Sequence, residues 1–461
     1  MKTILLLATL ILPLQMRAQN EKAFRAAFKK LAADSIFRHA SMSLLVVDQR
    51  GRQLVSVHPQ MGLAPASCQK VITATTAFEL LGHDFTYGTT LGYTGSLAGD
   101  TLKGDIIIGG SGDPSLGSWR YPATTEDTVI NEFSSAIRQA GIHEITGHVY
   151  AGESLWKSEV TPGGWIWEDI GNYYGAGARS LDWRENQYDL HLRSGSHVGD
   201  SVKIAGTTPA YIAGLALRSD ATAAAKGSGD NSYLFIPQYT QWGMLRGTIP
   251  VDEDSFTVSG SMPLPGQQLA ITLESSIKHI PPEPIDSSYP AAPSYSSPHI
   301  FYTHHSPTLD SLAYWFLQRS INLYGEALLK TLAFRYCGNG STDSGVQVIQ
   351  RFWKSRGIDA YAMNIQDGSG LSPANRVTTS VLVRVLQYAR SRPWFASFYK
   401  ALPVINGIKM KSGSIGGVVS YSGYVQSASG TTYTFSFIIN NFEGDANVVR
   451  RKMWALLDLL K

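Results

Sequence analysis

The pattern of apolar residues changes character twice along this chain of 461 residues. From about Tyr87 to Phe256 it consists of short β-type runs separated by Gly, Ser and Asp clusters, which predicts a strand-rich region. Helical spacing precedes this region and returns near Pro263. Helices also stand before and after a pair of alternating runs near the C-terminus, so the sequence predicts an α+β fold interrupted by a strand-rich region.

Periodicity and turn residues place the elements outside that region. A proline near the start, apolar residues at helical spacing and a glycine at the end predict an amphipathic helix over Pro65–Gly82. Gly430, between two alternating runs, predicts the turn of a hairpin. The other predicted elements are helices near Leu269–Ile277 and over Thr308–Gln318, Leu323–Phe334 and Val448–Leu457, hairpin strands over Gly417–Gln426 and Thr431–Asn441, and an irregular connection over Pro281–Pro298.

Length and charge narrow the class of protein. At about 100–200 residues per domain, the chain has room for roughly two to four domains. Lys and Arg number 39 against 36 Asp and Glu, the formal net charge is +3, and the sequence contains no run of basic residues. A polyanion-binding protein usually concentrates Lys and Arg on one surface, so nucleic acid is not an expected partner.

The first eighteen residues have the pattern of a secretory signal peptide, residues 1–18. Lys2 provides a positive start, Ile4–Leu14 are apolar, and Met16-Arg17-Ala18 ends in a small residue. The apolar stretch is much shorter than the roughly 20 residues that a transmembrane helix requires. We therefore expect cleavage after Ala18 and an exported, periplasmic product that is soluble or at most loosely associated with the membrane.

Cysteine and histidine usage indicates neither a disulfide scaffold nor a metal site. Cys68 and Cys337 are too few for a disulfide-dependent fold, and the sequence leaves open whether they pair. His304 and His305 are adjacent, so they cannot share one face of a helix or strand, and no cluster at ligand spacing accompanies them. We expect neither a metal nor another cofactor.

The first motif with catalytic potential lies at the start of the helix predicted over Pro65–Gly82. Ser67 and Lys70 are three residues apart there, so both side chains project from one helix face. A serine needs a nearby base to become a nucleophile, and a lysine serves when burial, a helix N-terminus or another cation lowers its pKa. A polar pair on a solvated helix face is the commoner explanation, so the spacing alone is weak evidence. Three other pairs share it: Ser154 with Lys157, Ser275 with Lys278, and Ser397 with Lys400.

Two further motifs follow in order along the chain. Ser320-Ile321-Asn322 lies between two predicted helices, and Lys411-Ser412-Gly413-Ser414 precedes the predicted hairpin. With the first motif they match the Ser-x-x-Lys, Ser-x-Asn and Lys-Thr/Ser-Gly set of penicillin-binding proteins and related β-lactamases. More specifically, the chain resembles the class C low-molecular-mass penicillin-binding proteins, the D-alanyl-D-alanine carboxypeptidase/endopeptidase family. Five further stretches resemble signatures of that family: Gly110–Leu116, Asp169–Ala176, Arg246–Pro250, Tyr324–Glu326 and Asp367–Ser372.

The resemblance implies a domain organisation. Residues 19–88 and 256–461 would form a serine β-lactamase/transpeptidase-like catalytic domain, an antiparallel sheet flanked by helices. Residues 89–255 would form an inserted strand-rich region of one or two subdomains. The long separation between Ser67 and Ser320 agrees with the insertion that this family carries between its first and second motifs.

The resemblance also implies catalytic roles. Ser67 would be the acylated nucleophile, and Lys70 would be the base that takes its proton. Ser320 would relay protons towards the leaving D-alanine nitrogen, and Asn322 would hydrogen-bond the substrate peptide. Water would then release the acyl-enzyme.

The third motif is implied to bind the substrate, a peptidoglycan stem peptide. Lys411 would add positive potential and, with Ser412, bind the terminal carboxylate. Gly413 belongs to the same substrate-binding set. The backbone N–H groups of Ser67 and Ser414 would form the oxyanion hole, where donors are fixed before charge develops.

Specificity is less constrained by the resemblance. Asp169 would contact an ammonium group on the stem peptide. Pro373 and Gly416 stand where better-known members often carry longer polar residues that help to bind the stem. The preferred third stem residue, the balance between carboxypeptidase and endopeptidase activity, and the oligomeric state therefore stay open.

Two other functions remain as alternatives. A penicillin-binding sensor or structural wall protein would carry the same motifs and be acylated without useful turnover. A β-lactamase would need rapid deacylation, and the sequence contains no Glu-x-x-Leu-Asn element to supply the base of the class A enzymes. For the peptidase, β-lactam antibiotics are expected as acylating inhibitors.

Overall fold

The structure is a computed structural model that describes residues 21–153, 155–156, 159–237, 240, 242–281 and 297–461. The predicted signal peptide, Ser154 with Lys157, and all but the ends of the predicted irregular connection lie outside the described residues. The chain divides into two compact units. Unit 1 comprises the described residues up to Glu79, Ala313–Ser320 and Ile349–Lys461, and unit 2 comprises Leu80–Leu312 and Ile321–Val348.

Strands occur throughout both units. In chain order they are β1 (Ser41–Asp48), β2 (Gln53–Val57), β3 (Gly88–Tyr93), β4 (Ser96–Ala98), β5 (Thr101–Lys103), β6 (Ile106–Gly109), β7 (Glu144–Ile145), β8 (Val149–Gly152), β9 (Gln187–Arg193), β10 (Lys203–Thr208), β11 (Ala216–Ser219), β12 (Thr222–Ala224), β13 (Asn231–Phe235), β14 (Trp242–Pro250), β15 (Phe256–Ser261), β16 (His299–His305), β17 (Met363–Asn364), β18 (Arg376–Val377), β19 (Val404–Ile405), β20 (Ile408–Ile415), β21 (Val418–Gln426) and β22 (Thr432–Asn440).

Helices connect and cover these strands. They are α1 (21–32), α2 (Lys70–Leu81), α3 (Glu126–Gln139), α4 (Trp167–Ile170), α5 (Pro265–Lys278), α6 (Leu309–Gln318), α7 (Asn322–Cys337), α8 (Thr342–Lys354), α9 (Thr379–Arg390), α10 (Phe395–Ala401) and α11 (Ala446–Leu457). Short 3₁₀ turns span Ser35–Phe37, Ala66–Gln69, Pro122–Thr124, Tyr173–Gly175, Arg184–Asn186, Ala360–Ala362 and Asp458–Leu460.

Unit 1 is built on a six-stranded antiparallel sheet with the order β19-β20-β21-β22-β1-β2. The predicted hairpin is present as β21 and β22, and Gly430 takes a φ of +80° in its turn. Phe435, Phe437 and Ile439 lie on one face of β22 and share an apolar cluster with Val449 of the predicted closing helix, α11. Burial of such side chains is the main stabilising contribution in a layer of this kind. The predicted α+β fold is confirmed.

The helix that follows the first motif differs from its prediction. A 3₁₀ turn over Ala66–Gln69 comes first, and α2 begins only at Lys70. The first nine residues of α2 are all buried, so the predicted amphipathic pattern is wrong. One polar side chain inside the helix bonds both within the helix and to a residue far along the chain. Thr76 Oγ1 donates to the Ile72 carbonyl at 2.8 Å and accepts from the Trp353 indole at 2.9 Å.

Unit 2 contains the predicted strand-rich region as β3 to β15. One sheet has the order β16-β3-β6-β8, and α3 and α5 pack with it around residues such as Phe133 and Leu273. Three further sheets have the orders β10-β9-β15, β4-β5-β7, and β11-β14-β12 with β13 paired to β14. Sequence analysis did not predict α3, although Thr125 caps it by accepting a hydrogen bond from the Thr128 N–H.

The two units divide at residues other than the predicted domain boundaries. α5 and β16 belong to unit 2, because α5 packs on β8 and β16 pairs with β3. The organisation into residues 19–88 with 256–461 and an insertion at 89–255 stays a prediction. In the described ranges, no helix combines the length and the apolar character needed to cross a bilayer.

Candidate active site

Ser67 and Lys70 meet in unit 1. Ser67 is half-buried in the 3₁₀ turn, and Lys70 is fully buried at the start of α2. Lys70 Nζ donates a hydrogen bond to Ser67 Oγ at 3.0 Å, which is within the range of direct proton transfer. Ala66 takes a φ of +46°, a left-handed conformation that costs a residue with a Cβ about 1–2 kcal/mol. Surrounding contacts must therefore hold this turn in place.

A carbonyl group and an aromatic ring surround the Lys70 amine. Nζ donates to the Ser369 carbonyl oxygen at 2.8 Å. It also lies 5.9 Å from the centre of the Phe316 ring, on α6. Both groups present negative partial charge to a nitrogen that has been removed from water. The amine is thus held between its serine partner and fixed acceptors.

Lys411 lies on β20, and its main chain is joined to the turn that carries Ser67. Burial lowers the pKa of Lys411 to about 8, and its Nζ donates to the Ser412 carbonyl at 2.7 Å. Cys68 Sγ donates to the Lys411 carbonyl at 3.1 Å, and burial raises the pKa of that thiol. Cys68 therefore links strand and turn. Cys68 and Cys337 form no disulfide, which answers the question that the sequence left open.

Gly413 allows β20 to approach the same turn closely. A Cβ at this position would lie 2.4 Å from Ser420 Oγ and 2.6 Å from the Pro65 carbonyl oxygen. Ser420 Oγ itself donates to that carbonyl at 2.6 Å. No side chain fits between them, so glycine is required for the strand to contact the turn.

The edge of β20 beyond this contact is open. β19 pairs only with Ile408 and Lys409, so among the described strands the edge from Lys411 to Ile415 has no neighbour. An open edge is what an extended peptide needs in order to add as a further strand. Ser414 is exposed there, and its Oγ accepts a hydrogen bond from Arg450 Nη2 at 2.9 Å.

The second motif is divided between the units. Ser320 ends a segment of unit 1, is half-buried, and takes a left-handed φ of +58°. It follows Phe316, the residue beside the Lys70 amine, by four residues and lies two residues beyond the end of α6. Asn322 is the buried first residue of α7 in unit 2, where its Nδ2 donates to the Tyr174 carbonyl at 2.7 Å.

Asp169 lies in α4 of unit 2, near Asn322. Burial raises the pKa of Asp169 to about 6, the charge of Glu168 adds to this, and a hydrogen bond with the Tyr174 side chain opposes it. The main chain of Tyr174 accepts from Asn322, so one tyrosine connects the two predicted substrate-binding residues. The predicted site residues are thus Ser67, Lys70, Ser320, Lys411, Ser412, Gly413 and Ser414 in unit 1, and Asn322 and Asp169 in unit 2.

A competing Ser-x-x-Lys pair makes no such contact. Lys278 Nζ donates to Glu274 Oε1 at 2.7 Å and to the Gly147 carbonyl at 2.8 Å. Ser275 Oγ donates instead to the Ile280 carbonyl. Ser275 and Lys278 therefore bond to other groups and do not form a serine–lysine pair.

Comparison with known proteins identifies the family. The family model described as D-Ala-D-Ala carboxypeptidase 3 (S13) matches residues 24–407 and 405–460. The chain belongs to the D-Ala-D-Ala carboxypeptidase 3 (S13) family. It is 26% identical over 445 residues to a D-alanyl-D-alanine carboxypeptidase of Actinomadura sp. (strain R39), covering 90% of this chain and 80% of that protein. It is 22% identical over 405 residues to the D-alanyl-D-alanine carboxypeptidase DacB of Haemophilus influenzae, covering 82% and 80%.

A solved structure shares the fold of this S13 family member. The crystal structure of penicillin binding protein 4 (dacB) from Haemophilus influenzae matches it with a TM-score of 0.75 at 20% identity, over 92% of this chain and 97% of that one. The predicted transpeptidase-like fold is confirmed. Family membership also confirms the predicted resemblance and the predicted class of enzyme, a serine-type hydrolase.

Three contacts in this S13 site were not predicted from the sequence. The carbonyl of Ser369 lies within the signature Asp367–Ser372, so the sequence marked the segment but not the contact with Lys70. Phe316 was one of several apolar residues at helical spacing in α6. Arg450 lies on the closing helix, far along the chain from Ser414, and no local signal announces their contact.

Proposed function

We propose that this S13 family member cleaves D-alanyl bonds in peptidoglycan stem peptides through an acyl-enzyme on Ser67, as a carboxypeptidase, an endopeptidase or both. The hydrogen bond of 3.0 Å between Lys70 Nζ and Ser67 Oγ carries the proposal. It places a base beside a hydroxyl group at the start of a helix, as nucleophilic catalysis requires. The related D-alanyl-D-alanine carboxypeptidases supply the substrate class.

Acylation begins when the neutral Lys70 amine takes the Ser67 proton and Oγ attacks the carbonyl carbon of the D-alanyl bond. The backbone N–H groups of Ser67 and Ser414 hydrogen-bond the developing oxyanion. As the C–N bond breaks, the proton passes from Lys70 through Ser320 to the leaving nitrogen. Water then attacks the ester, which releases the shortened peptide and restores the Ser67 hydroxyl.

Substrate binding uses the third motif, and the family resemblance adds Asn322 and Asp169. Lys411 and Ser412 bind the terminal carboxylate, and the Lys411 pKa of about 8 keeps its amine largely charged at neutral pH. Gly413 keeps the strand against the nucleophile turn, as its close contacts indicate. Asn322 hydrogen-bonds the peptide, and Asp169 pairs with an ammonium group on the stem.

The same nucleophile is acylated by penicillin and other β-lactams, which present a reactive amide with a nearby carboxylate.

The substrate lies in the bacterial cell wall, so the proposal includes export to the periplasm, with at most a loose association with the membrane. The export signal predicted over residues 1–18 agrees with this location.

Mass spectrometry of muropeptides before and after incubation tests the function. Loss of one D-alanine identifies carboxypeptidase activity, and conversion of crosslinked dimers to monomers identifies endopeptidase activity. Multiple turnover separates an enzyme from a penicillin-binding sensor. Ser67→Ala is expected to abolish both product formation and penicillin labelling, whereas Ser275→Ala retains them. Stoichiometric labelling of Ser67→Ala, or no product from folded wild-type protein, contradicts the proposal.

A further inference from the structure

One peptide group lies between the Lys70 amine and a buried carboxylate. Its carbonyl oxygen, which belongs to Ser369, accepts the hydrogen bond from Lys70 Nζ at 2.8 Å. Its N–H, which belongs to Gly370, donates to Asp367 Oδ1 at 2.8 Å. A trans peptide group is planar, and its C=O and N–H point in opposite directions. A group that fixes the N–H therefore also fixes the direction of the carbonyl.

The carboxylate of Asp367 is anchored on both oxygens. Asp367 is fully buried, and its Oδ1 also accepts from Gln69 Nε2 at 2.9 Å and from Asn375 Nδ2 at 3.0 Å. Oδ2 accepts from the Ser372 N–H at 2.7 Å. Gln69 directly precedes Lys70, so the carboxylate is tied both to its own loop and to the nucleophile turn. A carboxylate among so many N–H donors has little freedom to rotate.

The peptide group between Ser369 and Gly370 also lies directly against Ala66, the residue before Ser67. Gly370 takes a left-handed φ of +84°, and a Cβ there would lie 2.0 Å from the Ala66 carbonyl oxygen. Only glycine permits both the conformation and the approach. A shift of the Ser369 carbonyl would thus be transmitted to the turn that holds Ser67.

We propose that Asp367 is a positioning residue for acylation, which directs the Ser369 carbonyl at Lys70 through this peptide group. A neutral amine has two N–H bonds and one lone pair. When the carbonyl holds one N–H, rotation about the Cε–Nζ bond is restricted, and proton transfer requires the lone pair in one of the two remaining positions to face the Ser67 hydroxyl. The charge of Asp367 also polarises the peptide group and strengthens the bond to Lys70. The inference rests on the proposed function, in which Lys70 is the base for Ser67.

Acylation by penicillin in two matched variants tests this role. Asp367→Asn keeps the shape of the side chain but turns one acceptor oxygen into an NH₂ group that faces N–H donors. Thr73→Val is the control, because Thr73 Oγ1 donates to the neighbouring Gly368 carbonyl at 2.6 Å. Thr73→Val removes a hydrogen bond between α2 and the same loop, but it leaves the hydrogen bonds of the peptide group between Ser369 and Gly370 in place. The maximal acylation rate, the half-saturating penicillin concentration and thermal unfolding are measured for each protein.

We expect Asp367→Asn to lower the maximal acylation rate by about tenfold or more and to change the half-saturating concentration by less than about threefold. Thr73→Val is expected to stay within about threefold of wild type in both quantities. A loop with a merely structural role would give similar losses in the two variants. Equal losses, or a wild-type rate in Asp367→Asn, overturn the proposal.

A further variant covers the case in which Asp367→Asn does not fold. Asn375→Ala removes one donor to the same carboxylate oxygen, together with two bonds that Asn375 makes to Ser372 and Gln366 in this loop, and leaves α2 untouched. A maximal rate lowered by about threefold or more supports the positioning role, and a wild-type rate overturns it. Failure of the proposed function looks different, because wild-type protein itself would then carry no penicillin on Ser67 in peptide mass mapping. That result overturns both proposals.

Discussion

Lys70 and Lys411 are both buried, and the proposed function gives them different roles. The Lys70 amine contacts the Ser67 hydroxyl, the Ser369 carbonyl and an aromatic ring, so it lies within proton-transfer distance of the proposed nucleophile. The Lys411 amine is desolvated on a strand and has the Ser412 carbonyl as an acceptor. Removal from water destabilises an ammonium group, so the charge of Lys411 changes around pH 8 and not near its ordinary pKa of 10.5.

Substrate binding by Lys411 is expected to weaken as pH rises past about 8, the pKa to which burial lowers it. The amine is charged below this value and neutral above it. The kcat/KM for a stem peptide with a free terminal carboxylate is therefore expected to fall on the alkaline side. Lys411→Arg stays charged throughout this range, so its pH profile is expected to lose that falling limb. An unchanged falling limb in Lys411→Arg shows that another group titrates.

The KM of one class of substrate is expected to depend on the protonation of Asp169 at acid pH. Burial raises its pKa to about 6, so the carboxyl group becomes neutral as pH falls below that value. The KM of a peptide with a free amine on its third residue is expected to rise there, whereas the KM of the N-acetylated peptide is not. Asp169→Asn is expected to remove the difference. Parallel KM profiles for the two peptides in wild type speak against an ion pair at Asp169.

At the scale of elements, the contact between β20 and the 3₁₀ turn that carries Ser67 depends on the absence of a side chain at Gly413. Gly413→Ala is expected to lower the rate of penicillin acylation by about a hundredfold, because its Cβ collides with the Pro65 carbonyl and the strand must move. Gly416→Ala is the matched control, since a Cβ there meets nothing within 4 Å. Acylation rates of the two variants, with thermal unfolding, check the prediction. Similar acylation rates in Gly413→Ala and Gly416→Ala would show that acylation does not require the close approach of β20 to the Ser67 turn.

Elements with local signals were predictable, and those set by distant contacts were not. The hairpin of β21 and β22 follows from alternation and one turn glycine, and Ser67 with Lys70 follows from helical spacing. The amphipathic prediction for α2 was wrong because side chains such as Trp353, far along the chain, cover a second face. The bond from Lys70 to Ser369 likewise joins segments that only the tertiary fold brings together.

At the scale of the whole molecule, a buried acid is expected to make stability depend on pH. Burial raises the pKa of Asp182 in unit 2 to about 7 from an ordinary value of 3.8. As pH rises through about 4, the unfolded chain loses this proton while the folded chain keeps it until about 7. The neutral Asp182 carboxyl group therefore stabilises the folded state most strongly below about pH 4. This contribution to the free energy of unfolding is lost as pH rises from about 4 to about 7.

Thermal unfolding of wild type and Asp182→Asn between pH 4 and pH 8 checks this. The melting temperature of wild type, measured relative to the variant, is expected to fall across the window and then to level off. Asp230→Asn alters an exposed acid of the same unit and is expected to follow wild type. A constant difference between wild type and Asp182→Asn contradicts the assignment.

The sheet of unit 1 joins strands from opposite ends of the described chain, since Ser41 on β1 pairs with Asn440 on β22. During synthesis β1 can pair with β2 at once but must wait for β22, and the Ser67 turn must wait for the β20 segment that carries Lys411 and Gly413. Pairing over such separations is slow compared with local helix formation. A nascent chain therefore carries the proposed nucleophile long before the site around it is complete, and the proposed activity arises only after the last strands have been synthesised.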